Sequence, residues 1–281
     1  MTNYQLMQQL VLKNITLNLD RPLIVGILNV TPDSFSDGGK FLSTSAALAH
    51  ARQMIEDGAD IIDAGGESTR PGSTGISLDE ELARVLPVVK ELVKEISVPL
   101  SIDTRKQEVA QACLELGAHI INDVSGLADE KMIKVAAHFK APVVIMHMKG
   151  TPVSMQYAPI YENVIEEIAL FLSERALRAR QLGIEQIIID PGIGFGKTIE
   201  HNLSIIKHLA EFKELGYPIF IGPSRKSFLG NMLKIEVSER LSPTLAAVTA
   251  CVLNGADFLR VHDVKECKRA ILVADAIKNA P

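Results

Sequence analysis

Short apolar runs alternate with amphipathic segments along most of the chain. Five of the runs begin at a glycine and end in a polar residue, as in Gly58-Ala-Asp-Ile-Ile-Asp63. A glycine just past a helix readily takes the left-handed conformation, and an unbroken β-branched run is typical of a parallel strand covered on both faces. With three further apolar runs, the predicted strands lie within residues 23–28, 58–63, 98–102, 117–122, 142–146, 183–190, 216–224 and 255–262.

The segments between the runs have helical periodicity. In residues 77–96, Val85, Val89 and Leu92 belong to one apolar stripe, and Ser77 with Glu80 predicts a capping box at the helix start. Eight strand–helix units predict an α/β protein, a single (β/α)8 TIM barrel spanning residues 1–281, with a short N-terminal β-hairpin at its bottom. An open doubly wound sheet is the alternative, but it would gather its functional groups at one switch point.

A polar residue stands at or just beyond the end of every predicted strand. The C-terminal ends of barrel strands converge on one face, where barrel enzymes carry their active sites. The sequence therefore predicts one site assembled from all eight strand ends. His147 is as consistent with a rim histidine as with a ligand and is left out of the catalytic set. The residues at the strand ends are Asn29, Asp63, Asp103, Asn122, His147, Asp190, Ser224 with Lys226, and Arg260 with His262.

The amino-acid composition limits the kinds of partner that this protein is expected to bind. The net charge of −5 argues against a surface that binds nucleic acid or anionic membranes, and the apolar runs are too short to span a bilayer. The N-terminus lacks the features of a signal peptide, which favours a cytoplasmic location. Cys113, Cys251 and Cys267 have no C-x-x-C spacing and are predicted to be buried, reduced thiols.

Residues 190–198, DPGIGFGKT, invite two nucleotide-binding interpretations that fail. A P-loop needs glycine where Pro191 stands, and the glycine spacing G-x-G-x-G differs from the dinucleotide fingerprint. The glycine-rich backbone instead suits close approach to a flat ligand. On the last strand, Arg260 and His262 are two positions apart and share a face, which predicts a phosphate clamp. Oxygens of Asn29 and Asp33 suit a Mg²⁺ ion held mostly by water and substrate phosphates.

Taken in order, eight motifs resemble those of the dihydropteroate synthases. They lie between Gly26 and Val264 and read NVTPDSFSDGG, GGESTRPGS, SIDT, IND, MHMKGTP, DPGIGFGKT, GPSRKSF and RVHDV. The resemblance implies condensation of (7,8-dihydropterin-6-yl)methyl diphosphate with 4-aminobenzoate, with release of diphosphate. It also implies a homodimer that associates through the outer helices of the barrel. An SN1-like route through a pterin cation fits a sequence that offers no evident nucleophile with a paired base.

The resemblance also implies roles for particular residues. Asp103, Asp190 and Lys226 are assigned as catalytic residues, and Asn29 as the ligand of Mg²⁺. Residues 31–39 are interpreted as a mobile lid. The predicted substrate-binding residues are Asp103, Asn122, Asp190 and Lys226 at the pterin; Arg260 and His262 at the diphosphate; Phe35, Thr69, Arg70, Pro71 and Ser227 at the aminobenzoate; and Met146 and Phe195, which are not assigned to one of the three groups.

Two alternative functions stay open at this point. A pterin-binding methyltransferase domain would share the Asp and Asn pterin slot, but it would not need the STRPG and SRKSF loops together. A non-catalytic pterin-binding barrel would be expected to lose its phosphate clamp and its first loop, and both are intact here.

Overall fold

The computed structural model describes residues 7–30, 39–69, 72–151, 155, 157 and 159–281. Residues 31–38 of the predicted lid at 31–39, including Phe35, and the predicted contacts Arg70 and Pro71 lie outside the described residues. The strands are β1 (Gln9–Val11), β2 (Thr16–Asn18), β3 (Leu23–Asn29), β4 (Ile61–Gly65), β5 (Leu100–Asp103), β6 (Ile120–Asp123), β7 (Val143–Met146), β8 (Ile187–Asp190), β9 (Phe220–Ile221) and β10 (Phe258–Val261).

Helices follow the barrel strands in the alternation that the sequence predicts. The α-helices are α1 (Gly39–Asp57), α2 (Leu78–Glu95), α3 (Gln107–Leu116), α4 (Glu130–Phe139), α5 (Val164–Gln181), α6 (Ile199–Lys207), α7 (Ser227–Leu233), α8 (Leu241–Leu253) and α9 (Val264–Lys278). Two 3-10 helices lie at Leu209–Leu215 and Val237–Glu239. None of the described helices is long and apolar enough to cross a membrane.

Eight parallel strands form the barrel in the order β8-β7-β6-β5-β4-β3-β10-β9. A parallel bridge between Ile189 and Ile219 joins the two ends of this order and closes the ring. The predicted TIM barrel is therefore confirmed. Strand β9 has only two residues, although the sequence predicted a longer run. Pro218 and Pro223 flank it and lack the N–H groups that a longer ladder would need.

Alternate residues of each strand face the helices or the barrel interior. The outward side chains, such as Ile62, Ile121 and Leu259, join the large core between barrel and helices. The inward side chains at the start of the strands form a second, smaller core, which includes Ile61, Ile120, Val144, Ile188, Phe220 and Phe258. The lower half of the barrel is therefore filled with apolar side chains.

The N-terminal hairpin covers this lower core, as the sequence predicted. Strands β1 and β2 pair antiparallel, with Leu10 opposite Leu17. Leu10 is fully buried and packs with the inward side chains, whereas the Val11 side chain on the other face is exposed. The side-chain amide of Gln186 holds the hairpin in place because it accepts from Val11 N at 2.7 Å and donates to Val11 O at 2.6 Å.

Helix α2 illustrates how the local sequence sets an element. Ser77 caps it by accepting a hydrogen bond from Glu80 N at 3.2 Å, which is one half of the predicted capping box, and Val85, Val89 and Leu92 are buried. The Glu80 carboxylate pairs with Arg84 at 2.5 Å. An arginine one turn along the helix is a stronger partner for the carboxylate than the N-cap amide.

The hairpin gives a test of the lower core. Leu10→Ala should lower the free energy of unfolding by about 2–4 kcal/mol, because it opens a cavity among fully buried side chains. Val11→Ala, on the exposed face of the same strand, should cost less than about 1 kcal/mol. Urea denaturation of both variants checks this, and equal losses would contradict the packing of the hairpin against the barrel.

Candidate active site

A polar layer lies directly above the apolar core of the barrel. Asp63, Asn122, Asp190 and Arg260 each stand two positions after an inward apolar residue of the same strand and therefore point inward as well. Asp63, Asn122 and Asp190 are at most 6% exposed. The strand pairing also sets Asp103 beside Asn122 at the C-terminal mouth. The structure therefore brings these polar residues together at one end of the barrel, as the sequence predicted.

Arg260 occupies the centre of this layer. Its Nε donates to Asp63 Oδ2 at 2.6 Å, and its Nη2 donates to Asp103 Oδ2 at 2.8 Å. Asn122 Nδ2 donates to the same Asp63 oxygen at 3.0 Å. One guanidinium therefore connects two buried carboxylates, and an amide is fixed beside it.

The two carboxylates retain unused hydrogen-bonding capacity. Oδ1 of Asp63 and Oδ1 of Asp103 are buried and have no hydrogen-bond partner among the described residues. Burial raises the pKa of Asp103 to about 7, opposed by Arg260 and reinforced by the nearby Asp63. Asp103 can therefore hold or release a proton near neutral pH, so it can both donate to and accept from a ligand.

Asp190 closes the far side of the layer. Its Oδ1 accepts from the backbone N–H of Gly192 at 2.7 Å, which fixes the carboxylate at the start of the loop after β8. Burial raises the pKa of Asp190 to about 6, opposed by the Gly192 hydrogen bond and by Lys226. The site thus contains two carboxyl groups whose ordinary acidity is weakened by burial.

Lys226 enters the site from the turn before α7. Arg225 has a φ of 55° and directs its own guanidinium away to Asp263, with Nε 2.9 Å from Oδ2. The backbone turn then aims Lys226 inward, where its Nζ lies 4.1 Å from the centre of the Phe195 ring. A cation over an aromatic face is favourable, so Phe195 helps to position the ammonium group.

Four more of the predicted residues that the structure describes lie at the rim of the same mouth. Asn29 ends β3 beside Gly65, and it is partly exposed. His262 receives its orientation from Ser224, whose Oγ lies 3.0 Å from His262 Nδ1 and accepts from His262 N at 3.1 Å. Thr69 follows β4 and Ser227 begins α7.

Met146 and Phe195 form part of one small apolar cluster with Val124 and Met155. The cluster lies beside Asp190, because Met146 is the register partner of Asp190 on the neighbouring strand. It therefore supplies an apolar wall to a site whose base is polar, an arrangement that suits a flat heteroaromatic ligand.

A network of ion pairs joins the loop after β4 to the turn between β5 and α3, and the sequence did not predict it. Glu67 accepts from Arg105 Nη2 at 2.9 Å and from Lys106 Nζ at 3.1 Å. Lys106 also reaches the fully buried Glu81 at 2.5 Å, and Glu81 accepts from Thr104 at 2.6 Å. The network fixes the segment that leads to Thr69. Glu81 lies on the apolar face of α2. A single charged residue among the apolar positions of that face was the only feature of the sequence that could have indicated the network.

Two further polar groups were missed as members of the site. Asp63 was recognised as a strand-end residue, but it received no role. Lys197 is 3% exposed and contacts His147, and neither residue was assigned. Among the described residues, no three His, Cys, Asp or Glu side chains group as a metal cage would need.

Comparison with known proteins agrees with this geometry. The family described as Pterin binding enzyme matches residues 25–262. Dihydropteroate synthase of Escherichia coli (strain K12) is 46% identical over 267 residues, which cover 94% of this chain and 95% of that protein. The Bacillus subtilis (strain 168) dihydropteroate synthase is 45% identical and is covered to 90%, with 92% of this chain aligned.

Solved structures give the same result. A Yersinia pestis dihydropteroate synthase in complex with a sulfonamide drug superposes with a TM-score of 0.92 at 41% identity, over 97% of this chain and all of that chain. The Xanthomonas albilineans enzyme with 4-aminobenzoic acid superposes with a TM-score of 0.91 at 42% identity, over 98% and 99% of the two chains. The present chain therefore belongs to the pterin-binding enzymes, and within them to the dihydropteroate synthases.

The raised pKa of Asp103 generates a prediction about stability. Between about pH 4 and pH 7 the folded protein keeps a proton on Asp103 that the unfolded chain releases, so this contribution to stability is lost as the pH rises. Asp103→Asn cannot titrate, so from pH 4 to pH 7 its free energy of unfolding should fall less than that of the wild type, by about 2–4 kcal/mol.

Denaturant unfolding across this pH range measures the difference. Parallel curves for the wild type and Asp103→Asn would contradict the raised pKa.

Proposed function

We propose that this protein condenses (7,8-dihydropterin-6-yl)methyl diphosphate with 4-aminobenzoate to give 7,8-dihydropteroate and diphosphate. The observation that carries the proposal is the buried polar layer in which Asp103, Asn122 and Asp190 surround one end of the pocket. The family membership and the match of the whole barrel to dihydropteroate synthases support the same reaction.

The chemistry of a pterin ring matches these groups. Its aminopyrimidinone edge presents N–H donors and a carbonyl acceptor, so carboxylates and an amide are suitable partners. Asp103 Oδ1 is a buried acceptor without a partner among the described residues, and a ring N–H would satisfy it. Lys226 would donate to an acceptor of the ring, while Met146 and Phe195 would contact its faces.

Arg260 and His262 are proposed to bind the diphosphate. Arg260 uses Nε–H and one hydrogen of Nη2 on the carboxylates, so among its described contacts both hydrogens of Nη1 and the second hydrogen of Nη2 remain for an anion. His262 stands two positions further toward the mouth on the same face, which suits a phosphate above the guanidinium. Positive charge at this point would stabilise the charge that develops on the leaving group.

Asn29 is the proposed protein ligand of Mg²⁺. The described residues form no closed cage, so they fit an ion that takes most of its ligands from water and the diphosphate. Such an ion would supply charge neutralisation to the leaving diphosphate.

The proposed route begins with dissociation. The bond between the methylene carbon and the diphosphate oxygen breaks, and its electron pair leaves with the diphosphate. The resulting pterin cation would be stabilised by the carboxylates of Asp103 and Asp190, two acidic groups of the layer. The aminobenzoate nitrogen then attacks the methylene carbon and loses one proton to solvent or diphosphate. The protein contributes position and charge, since no nucleophile is required.

The aminobenzoate is proposed to bind at the outer rim. Thr69 and Ser227 border the mouth from the loops after β4 and before α7. Phe35, Arg70 and Pro71 would complete this pocket. The ion network of Glu67, Arg105 and Lys106 supports the loop that brings Thr69 to the rim.

The proposal includes a cytoplasmic homodimer. Cys113, Cys251 and Cys267 are buried free thiols, which suits a reducing compartment. Large apolar side chains are exposed on neighbouring outer elements, from α7 to α8, and would be covered in a dimer. These side chains are Met232, Leu233, Val237, Leu241 and Leu253.

The function is tested by a diphosphate-release assay with Mg²⁺. Release should require both the pterin diphosphate and 4-aminobenzoate. Lys226→Ala should reduce kcat/KM at least 100-fold and stay folded, because a half-buried recognition group is lost while the packing of the barrel is kept. Lys265→Ala, an exposed lysine at the start of α9, should keep the wild-type rate. A folded wild-type protein without turnover would refute the enzyme, and full activity of Lys226→Ala would refute its role.

The dissociative route has its own test. Pterin diphosphate labelled with ¹⁸O at the oxygen that joins the methylene carbon to phosphorus is incubated with the enzyme in the absence of aminobenzoate. If the cation forms first, rotation of the bound diphosphate and its return should scramble the label, as measured by ³¹P NMR. Retention of the label with diphosphate demonstrably bound would instead indicate concerted displacement.

A further inference from the structure

We infer that Lys197 is a positioning residue that holds the loop carrying Phe195 against the barrel, and so fixes the aromatic face on which Lys226 and the pterin depend. The inference rests on the proposed function for its kinetic consequence. Its structural consequence can be measured independently of any turnover.

Three contacts satisfy the Lys197 side chain. Its Nζ lies 2.9 Å from Phe195 O, 3.4 Å from His147 O and 3.0 Å from His147 Nδ1. An ammonium group has three donors, and here two carbonyl oxygens and one ring nitrogen can accept them. No described carboxylate forms a salt bridge with it. Lys197 therefore joins two backbone segments through hydrogen bonds, whereas Arg260 pairs with carboxylates.

The surroundings of His147 favour this arrangement. Burial, reinforced by Lys197 and Lys149, lowers the pKa of His147 to about 2, so the ring is neutral at physiological pH. Burial lowers the pKa of Lys197 well below its ordinary value, but Nζ keeps donors for both carbonyl oxygens in either protonation state. His147 Nδ1 accepts from the ammonium form of Lys197 and donates to its neutral amine. The ring also packs edge-on against Phe171, with 5.0 Å between ring centres, so its position is fixed from the other side.

Glycines allow the two segments to approach each other. Gly192 has a φ of 69°, and a Cβ there would lie 1.9 Å from His147 O. Gly196 has a φ of 62°, and a Cβ there would lie 2.4 Å from Lys149 O. Side chains at these positions would be strained and would collide with backbone. The glycines thus serve contact with residues 147–149, whereas the sequence suggested only contact with a flat ligand.

Other side chains hold the same loop at separate points. Asn202 Oδ1 accepts from Gly194 N at 2.6 Å, and Tyr161 donates to Gly196 O at 2.8 Å. Lys197 holds the carbonyl of Phe195 itself, whose ring lies 4.1 Å from Lys226 Nζ. Loss of the Lys197 contacts should therefore move the ring more than it disturbs the rest of the loop.

The test replaces Lys197 by methionine, which has similar length and no donor. In the free protein, amide hydrogen exchange of residues 192–198 should accelerate at least 10-fold in Lys197→Met, while exchange in β4 and β5 should stay at the wild-type rate. The KM for the pterin diphosphate should rise at least 10-fold, and the KM for 4-aminobenzoate should change less than 3-fold.

Lys213→Met is the matched control, because this lysine pairs with Asp257 in the turn that leads into β10, at the opposite end of the barrel. It should leave exchange in residues 192–198 and both KM values unchanged. If Lys197→Met does not fold, His147→Phe decides instead, since it keeps a ring and removes one acceptor. In His147→Phe, hydrogen exchange of the amides of residues 192–198 should accelerate by a smaller factor than in Lys197→Met.

The outcomes separate the two proposals. If exchange of residues 192–198 is faster in Lys197→Met but the wild-type protein shows no turnover, the positioning role is upheld and the proposed reaction is refuted. Turnover by the wild type, with unchanged local exchange or an unchanged pterin KM in Lys197→Met, would overturn the positioning role. Uniformly faster exchange throughout the barrel would also overturn it, because it would show a general loss of stability.

Discussion

A single guanidinium controls the centre of this barrel. Arg260 comes from the last strand and binds carboxylates from the second and third barrel strands, Asp63 and Asp103, in a layer sealed from below. Three groups of this kind are stable in a barrel interior only if their charges nearly cancel and their geometry is good. The positions of Asn122 and Asp103, and thus the shape of the proposed pterin slot, depend on this arrangement. Removal of Arg260 would leave two buried carboxylates without a compensating cation.

The fold was predictable because its signals are local. Each strand begins shortly after a helix-ending glycine or a comparable break, and its apolar run is short enough to exclude a long helix. The position of the polar residues followed from the same pattern, since Asp63, Asn122 and Arg260 each end a run whose earlier members fill the core. Only the barrel topology was then needed to bring the ends together. The buried polar layer could be predicted to this extent from spacing and family motifs, and its role as a pterin slot stays a prediction.

The pairings inside the site were not predictable, because they join distant parts of the chain. Arg260 is 157 positions from Asp103 and 197 positions from Asp63. A strand-end arginine is consistent with an anion clamp, and its sequence neighbours give no sign of two carboxylate partners. The same reason applies to Lys197 and His147, which are 50 positions apart. Glu67 and Glu81 were missed for a related reason, since their cations follow a different strand.

The hairpin at the bottom of the barrel affects the electrostatics of the mouth. Leu10 and the inward side chains below Asp63 form an insulating floor, because apolar material polarises little. Field lines from the charges of the polar layer therefore spread poorly downward and are directed toward the opening, where solvent or ligand responds to them. The first strands of the chain lie far from any reacting atom, but by covering the bottom of the barrel they help to direct the field of the charged layer toward the mouth.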